Sequence, residues 1–367
     1  MSSASAICPA PATSTPNTTA SRISQVIVAI ILTLTIALYF WVDSRYPSLL
    51  KKLHSGTSIK VSGPIGFDAL LPVDPGSPIL TRIGRTTVNW IWNNRIGMPF
   101  GIGFGAALLT LLPMFPRRRF TSPAANTLLG AFLGTPLGVC ANCVAPIGRG
   151  LYSAGASSET VLATMISSPL LNVVVLTMAF SLFPLPIALG RLSIPIILLL
   201  LIPFITPKTK TASVTLGPEC PIYTGPNWLH SSGSTLSLYL RNLARVFLFT
   251  VPLMILAGLL GAISAELFPA NTIPMQVSVL GIIVVAALGT FVPVPVAFDV
   301  GLAFVLMSHG VAMPYVVTLL CTLGGFSIYP FLIVGRTVSW GTAIKIFAAI
   351  TILGILVGLG TSLAYHG

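Results

Sequence analysis

Cys140 and Cys143, spaced as Cys-x-x-Cys, share the stretch Gly134 to Asn172 with Asn142, Pro146, Arg149, Glu159, Ser167 and Ser168. The surrounding sequence is apolar enough to lie in lipid, where polar side chains and broken backbone are costly unless they face protein or a water-filled cavity. Two thiols at this spacing could hold a soft solute such as a trivalent arsenical. They could also cycle as a redox pair, or pack as small residues in a crowded helix interface. No second pair follows, so the four ligands of a structural zinc site are missing and no metal or cofactor is expected.

Asn142, Asn172, Ser167 and Ser168 offer neutral hydrogen-bonding groups suited to a polar solute or anion, or to helix–helix contacts. Arg149, flanked by Gly148 and Gly150, can face an anion, partner Glu159, or snorkel to an interface. Glu159 follows Ser157 and Ser158 and precedes an apolar run, which reads as a helix N-terminus with a carboxylate against the dipole. Downstream, Asp299 stands between Pro295 and Gly301 in apolar sequence, a candidate for proton or cation coupling or a helix cap. Glu159 and His309, the latter of the residue type whose charge changes near physiological pH, are the other coupling candidates. Cys140, Asn142, Cys143, Pro146, Arg149, Ser167, Ser168 and Asn172 form the expected substrate site.

These residues need a membrane scaffold. Apolar residues make up 54% of the 367-residue chain and charged ones 7%; mean hydropathy is +0.94. Such a chain cannot cover itself with a water-compatible surface, so an all-α polytopic membrane protein is expected. The net charge of +12 gathers between apolar spans, where Lys and Arg orient helices and meet anionic headgroups rather than nucleic acid. Five scattered cysteines make no disulfide scaffold.

Residues 1–21, rich in Ser, Thr, Ala and Pro, read as a disordered tail. Residues 22–95 hold a first helix, about 24–42, and a long extramembrane loop whose Trp90 and Trp92 suggest an interfacial belt. Residues 96–206 form a first permease repeat with spans near 96–114, 124–145, 160–182 and an almost featureless 187–205. A polar connection covers 207–241, and 242–367 forms a second repeat with spans near 246–268, 276–296, 312–334 and 342–365. Pro116-Arg117-Arg118-Arg119 places its loop in the cytoplasm. Sliding the chain by 155 positions lays Ala131, Leu133, Gly134, Thr135, Val139, Leu151, Ser153, Gly155 and Val161 on Ala286, Leu288, Gly289, Thr290, Val294, Leu306, Ser308, Gly310 and Val316. About nine spans in two internal repeats follow, with broken or re-entrant helices near the midplane, as in many secondary transporters.

Thr135-Pro136, Cys140/Cys143, Val144-Ala145-Pro146, Gly148 to Gly155 and Ser168-Pro169-Leu170-Leu171-Asn172 together resemble the predicted permease family that includes the ArsP-type organoarsenical efflux permeases and YraQ-like proteins. The Cys-x-x-Cys departs from the tighter Cys-x-Cys of that family. The resemblance implies a permease rather than an enzyme, set in a cell membrane of the bacterial inner-membrane type. Its expected partners are the bilayer, a small-molecule or ion substrate, and a homo-oligomer or partner subunit. The expected activity is alternating-access transport of a small solute, either a soft thiol-reactive species such as an organoarsenical or a small polar anion. A membrane thiol–disulfide oxidoreductase using Cys140 and Cys143, or a non-transporting membrane subunit, are the alternatives.

Overall fold

The computed structural model describes residues 18–47, 50, 70–115, 120–206, 228–267 and 277–366. The triple arginine, residues 1–17 of the expected tail and most of the polar connection lie outside these. All the regular structure among the described residues is helical. The chain runs through α1 (Thr18–Phe40), α2 (Ile79–Asn93), α3 (Gly97–Leu111), α4 (Pro123–Gly134), α5 (Ala141–Ser153), α6 (Ser158–Leu170) and α7 (Val173–Leu182). It continues through α8 (Leu185–Ile205), α9 (Trp228–Leu267), α10 (Val279–Phe291), α11 (Phe298–Ser308), α12 (Met313–Thr322), α13 (Ile328–Thr337) and α14 (Trp340–His366). Helix α1 begins inside the stretch read as a tail, and α9 begins inside the stretch read as a connection.

Among the described residues, five helices are long and apolar enough to cross a membrane: Ile23–Arg45, Gly97–Met114, Leu185–Ile205, Ser232–Leu267 and Trp340–Ala364. Helices α6 and α7, bent by 41° at Leu171, make a sixth crossing when taken together. The chain is therefore a multi-pass helical membrane protein whose apolar helices belong in a lipid bilayer. Length alone does not reach the nine spans expected. The apolar segments near 124–145 and 312–334 are each divided between two short helices, and the one near 276–296 holds a single short helix, Val279–Phe291.

The divisions have local causes. Pro136 lies in a 3-10 turn, Thr135–Leu137, that ends at Gly138 in the left-handed region, φ +57°. Pro169 lies in the last turn of α6, and Asn172 caps α7 by accepting the Val174 N–H at 2.9 Å. Pro293 and Pro295 fall between α10 and α11, and Ala297 there takes φ +64°.

The 155-residue offset reappears in the turns. After α5 the Gly155 N–H meets Tyr152 O and the Ala156 N–H meets Leu151 O, both at 2.9 Å. After α11 the Gly310 N–H meets Met307 O at 3.1 Å and the Val311 N–H meets Leu306 O at 3.0 Å. Both are Schellman ends, and both glycines have positive φ, +92° and +77°. Packing follows the same offset: α4 lies on α6 as α10 lies on α12, and α5 meets α13 as α11 meets α7.

Two loop expectations change. Trp90 is buried in protein rather than open to lipid, and its Nε1–H donates to Pro293 O at 2.9 Å. Helix α2 is thereby held against α9 and the break between α10 and α11. The span near 187–205 is not featureless either, because Arg191 within α8 is 1% exposed.

Candidate functional site

Cys140 and Cys143 stand at the N-terminus of α5, both buried as free thiols. Cys140 is the N-cap and its Sγ accepts the Cys143 N–H at 3.3 Å, so the pair is turned onto one side of the helix start. Both sulfurs lie 4.0 Å from Asn94 Oδ1, and Asn94 is itself fixed by its Nδ2–H donating to Trp90 O at 2.8 Å. A π-helical turn, Trp41–Arg45, follows α1. Within it, Trp41 Nε1–H donates to Pro136 O at 3.0 Å, and buried Arg45 stacks on Phe40 with its charge acting on both thiols. The Cys-x-x-Cys thus meets an arginine and an amide from two elements that sequence reasoning had assigned no role.

Helix α3 comes unusually close to this pair. A Cβ on Gly97 would lie 2.5 Å from Cys143 Sγ, and one on Gly105 would lie 2.7 Å from Pro146 O. Gly101, between them, abuts the Cys143 carbonyl. Small residues at every fourth position let two helix backbones approach without a hydrophobic driving force. Pro146 therefore acts here through its backbone carbonyl against α3.

The polar groups at the breaks are paired with one another. Ser168 Oγ accepts the Val139 N–H at 3.2 Å, and Asn172 Nδ2–H donates to Gly138 O at 2.7 Å, so the second break ties down the first. Ser167, fully buried, hydrogen-bonds only within its own helix, to Thr164 O at 3.5 Å. Asn142, also fully buried, reaches across to the other half of the chain. Its Nδ2–H donates to Val294 O at 3.1 Å and its Oδ1 accepts the Ser327 Oγ–H at 2.9 Å. Ser327 occupies the position 155 residues after Asn172, so the capping residue of one half is bonded to the break of the other.

The remaining expected residues divide. Arg149 is half-buried with its guanidinium 3.1 Å from the centroid of Phe249, and no ion pair joins it to Glu159 among the described residues. Glu159 sits in the first turn of α6, after the N-cap Ser157, whose Oγ accepts the Thr160 N–H at 3.2 Å. His309 ends α11 in an exposed position and its Nδ1 lies 2.8 Å from Val305 O. Ten residues of helix, about 15 Å, separate it from Asp299. Asp299 is buried at the start of α11, in an ion pair with Arg191 of α8 at 2.5 Å. The signal for Arg191 was available, since an arginine inside an apolar span requires a partner.

The chain is similar to a curated protein. The UPF0718 protein YraQ of Escherichia coli (strain K12) is 27% identical over 269 residues, covering 70% of this chain and 74% of the relative. No family model and no solved structure matches the sequence.

Proposed function

We propose that the chain is a permease carrying a small solute by alternating access through the region where the broken helices of its two halves meet. The observation that carries this reading is the Asn142 bridge to Val294 and Ser327. It brings the first break of one half against both breaks of the other, deep in apolar sequence. Irregular backbone at such depth is tolerated where it is buried in protein or lines a cavity, and transporters built from repeats place their sites there.

On this reading helices α4–α8 and α10–α14 are two copies of one unit, supported by the shared turns and packing. Joining α4 to α5, α6 to α7, α10 to α11 and α12 to α13 as broken spans then gives nine crossings. The solute is a soft, thiol-reactive species such as an organoarsenical, engaged by Cys140 and Cys143, or a small polar anion. Resemblance to the YraQ-like and arsenical permeases favours a bacterial inner-membrane setting and efflux, and the similarity to the YraQ protein over most of the chain agrees with that resemblance.

The test is flux in proteoliposomes, using trivalent organoarsenicals and small oxyanions. Wild type is compared with Cys140→Ser/Cys143→Ser and with Asn172→Ala. Loss of arsenical flux in the cysteine variant alone would identify a soft-solute site. Loss of anion flux in Asn172→Ala with the cysteine variant active would identify hydrogen-bonded transport. Absence of flux for every solute would overturn the permease reading.

A further inference from the structure

Arg191 lies six residues into α8, about 9 Å along its axis, and is 1% exposed. Of its donors, one Nη2–H is used, on Asp299 Oδ2 at 2.5 Å. Its Nε and Nη1 are buried with no hydrogen-bond partner among the described residues. A guanidinium offers five N–H donors in a planar fork, and idle donors in an apolar interior are costly. Asp299 is held more fully. Its carboxylate faces the backbone N–H groups of Val300 and its own residue at the start of α11. The turn after α12 closes over it at Gly324, φ +82°, where a Cβ would lie 3.1 Å from the Asp299 Cγ. The aspartate is caged, whereas the arginine has spare capacity for a second acceptor.

Charge balance sets what that acceptor brings with it. The pair as it stands is neutral, and an added anion would leave one uncompensated negative charge in an apolar interior. A proton on Asp299 restores neutrality and withdraws the carboxylate's claim on the guanidinium. We propose that Arg191 is the binding group for a small monovalent anion, that the Asp299 carboxylate is its tethered ligand when no anion is present, and that anion and proton enter together. This deepens the permease reading above, on which it rests for the movement of the pair across the bilayer.

Among the described residues, the other ionisable group facing Asp299 is Cys321 of α12. Helix α7, which also packs on α11, carries none. Cys321→Ala therefore serves as the control.

The experiment uses the full-length chain purified in detergent, where binding is read without transport. Sodium formate, which is the Asp299 headgroup without its chain, replaces sodium gluconate at constant ionic strength at pH 5 and pH 8. The expected result is a midpoint of thermal unfolding that rises with the logarithm of formate concentration, and more at pH 5. Asp299→Asn should show an equal rise at both pH values, Arg191→Gln no rise at either, and Cys321→Ala the wild-type pattern. Formate binding by the wild type in weak buffer should take up about one proton per anion, by linkage. No rise in the wild type, or a rise that persists in Arg191→Gln, overturns the proposal. Should Asp299→Asn fail to fold, anion binding without proton uptake by the wild type overturns the coupling. A chain that binds formate with its proton yet moves no solute in proteoliposomes keeps this site and loses the permease reading.

Discussion

Cys143 is chemically suggestive and also tightly packed, and the two roles separate by mutation. Gly97→Ala places a methyl group 2.5 Å from the Cys143 sulfur, so it should lower stability by roughly 1–3 kcal/mol, the range for overpacking. Cys143→Ala in the same chain removes the clashing atom and should recover most of that loss in thermal unfolding, a coupling a double-mutant cycle measures directly. Additive effects would mean that α3 does not press on the thiol. Asn142 is a sharper case, because its amide satisfies both Val294 O and Ser327 Oγ. Asn142→Ala leaves two buried groups unpaired and should cost about 1–3 kcal/mol or more, while Ser327→Ala, which leaves the bond to Val294 intact, should cost less. The sequence marked Asn142, Asn172 and Ser168 as polar groups in apolar surroundings, which burial alone makes legible. Their partners were not legible, because Gly138, Val139 and Val294 contribute only main-chain atoms, and backbone groups have no signature in residue type. Arg191 and Arg45 were missed for a different reason: each ends up beside a residue far away in the chain, Asp299 and the Cys140/Cys143 pair, and only folding brings them there.

The elements follow punctuation that can be read from the chain. Pro136 with Gly138 and Pro293 with Pro295 sit where helices end, and Gly155 and Gly310 sit where helices turn back. A non-glycine residue at positive φ after a helix is strained, so Gly155→Ala and Gly310→Ala should each cost on the order of 1 kcal/mol in unfolding measurements. Near-equal costs are expected, since the two turns share hydrogen bonds at corresponding positions. A large loss at one and none at the other would argue that the two turns are not equivalent. The 155-residue offset could be seen in sequence because small residues at close approaches recur: Gly134 abuts Ser167 and Gly289 abuts Thr322, each pair displaced by the same interval. Two elements escaped this kind of reading. Helix α2 looks like a polar loop because Arg82 and Arg85 dominate it, yet Trp90 buries one face, and α9 extends for 40 residues, about 60 Å, with its first turns in sequence too polar to announce a membrane helix.

At the scale of the molecule, the described residues join the halves through a set of cross contacts. Helix α5 packs on α13, α7 on α11 and α8 on both α12 and α14. Asn142 and the Arg191–Asp299 pair are polar links deep in this contact, beside Trp90 on Pro293 O, Asn242 on Thr110 and the Arg82–Glu266 ion pair. Fragments 1–206 and 228–367, co-expressed with an affinity tag on one of them, should therefore co-purify from membranes. Two fragments that insert but never associate would show that the connection holds the halves together. The ion pair gives that assembly a charge signature. Removing one member leaves an uncompensated charge in an apolar interior, a loss of about 3–5 kcal/mol for buried pairs, whereas replacing both by apolar residues is often neutral. Arg191→Leu or Asp299→Leu alone should sharply reduce recovery of the partner fragment, and the double variant should restore it. That outcome would separate the pair's part in assembly, which the double variant keeps, from its part in holding an anion, which the double variant must lose.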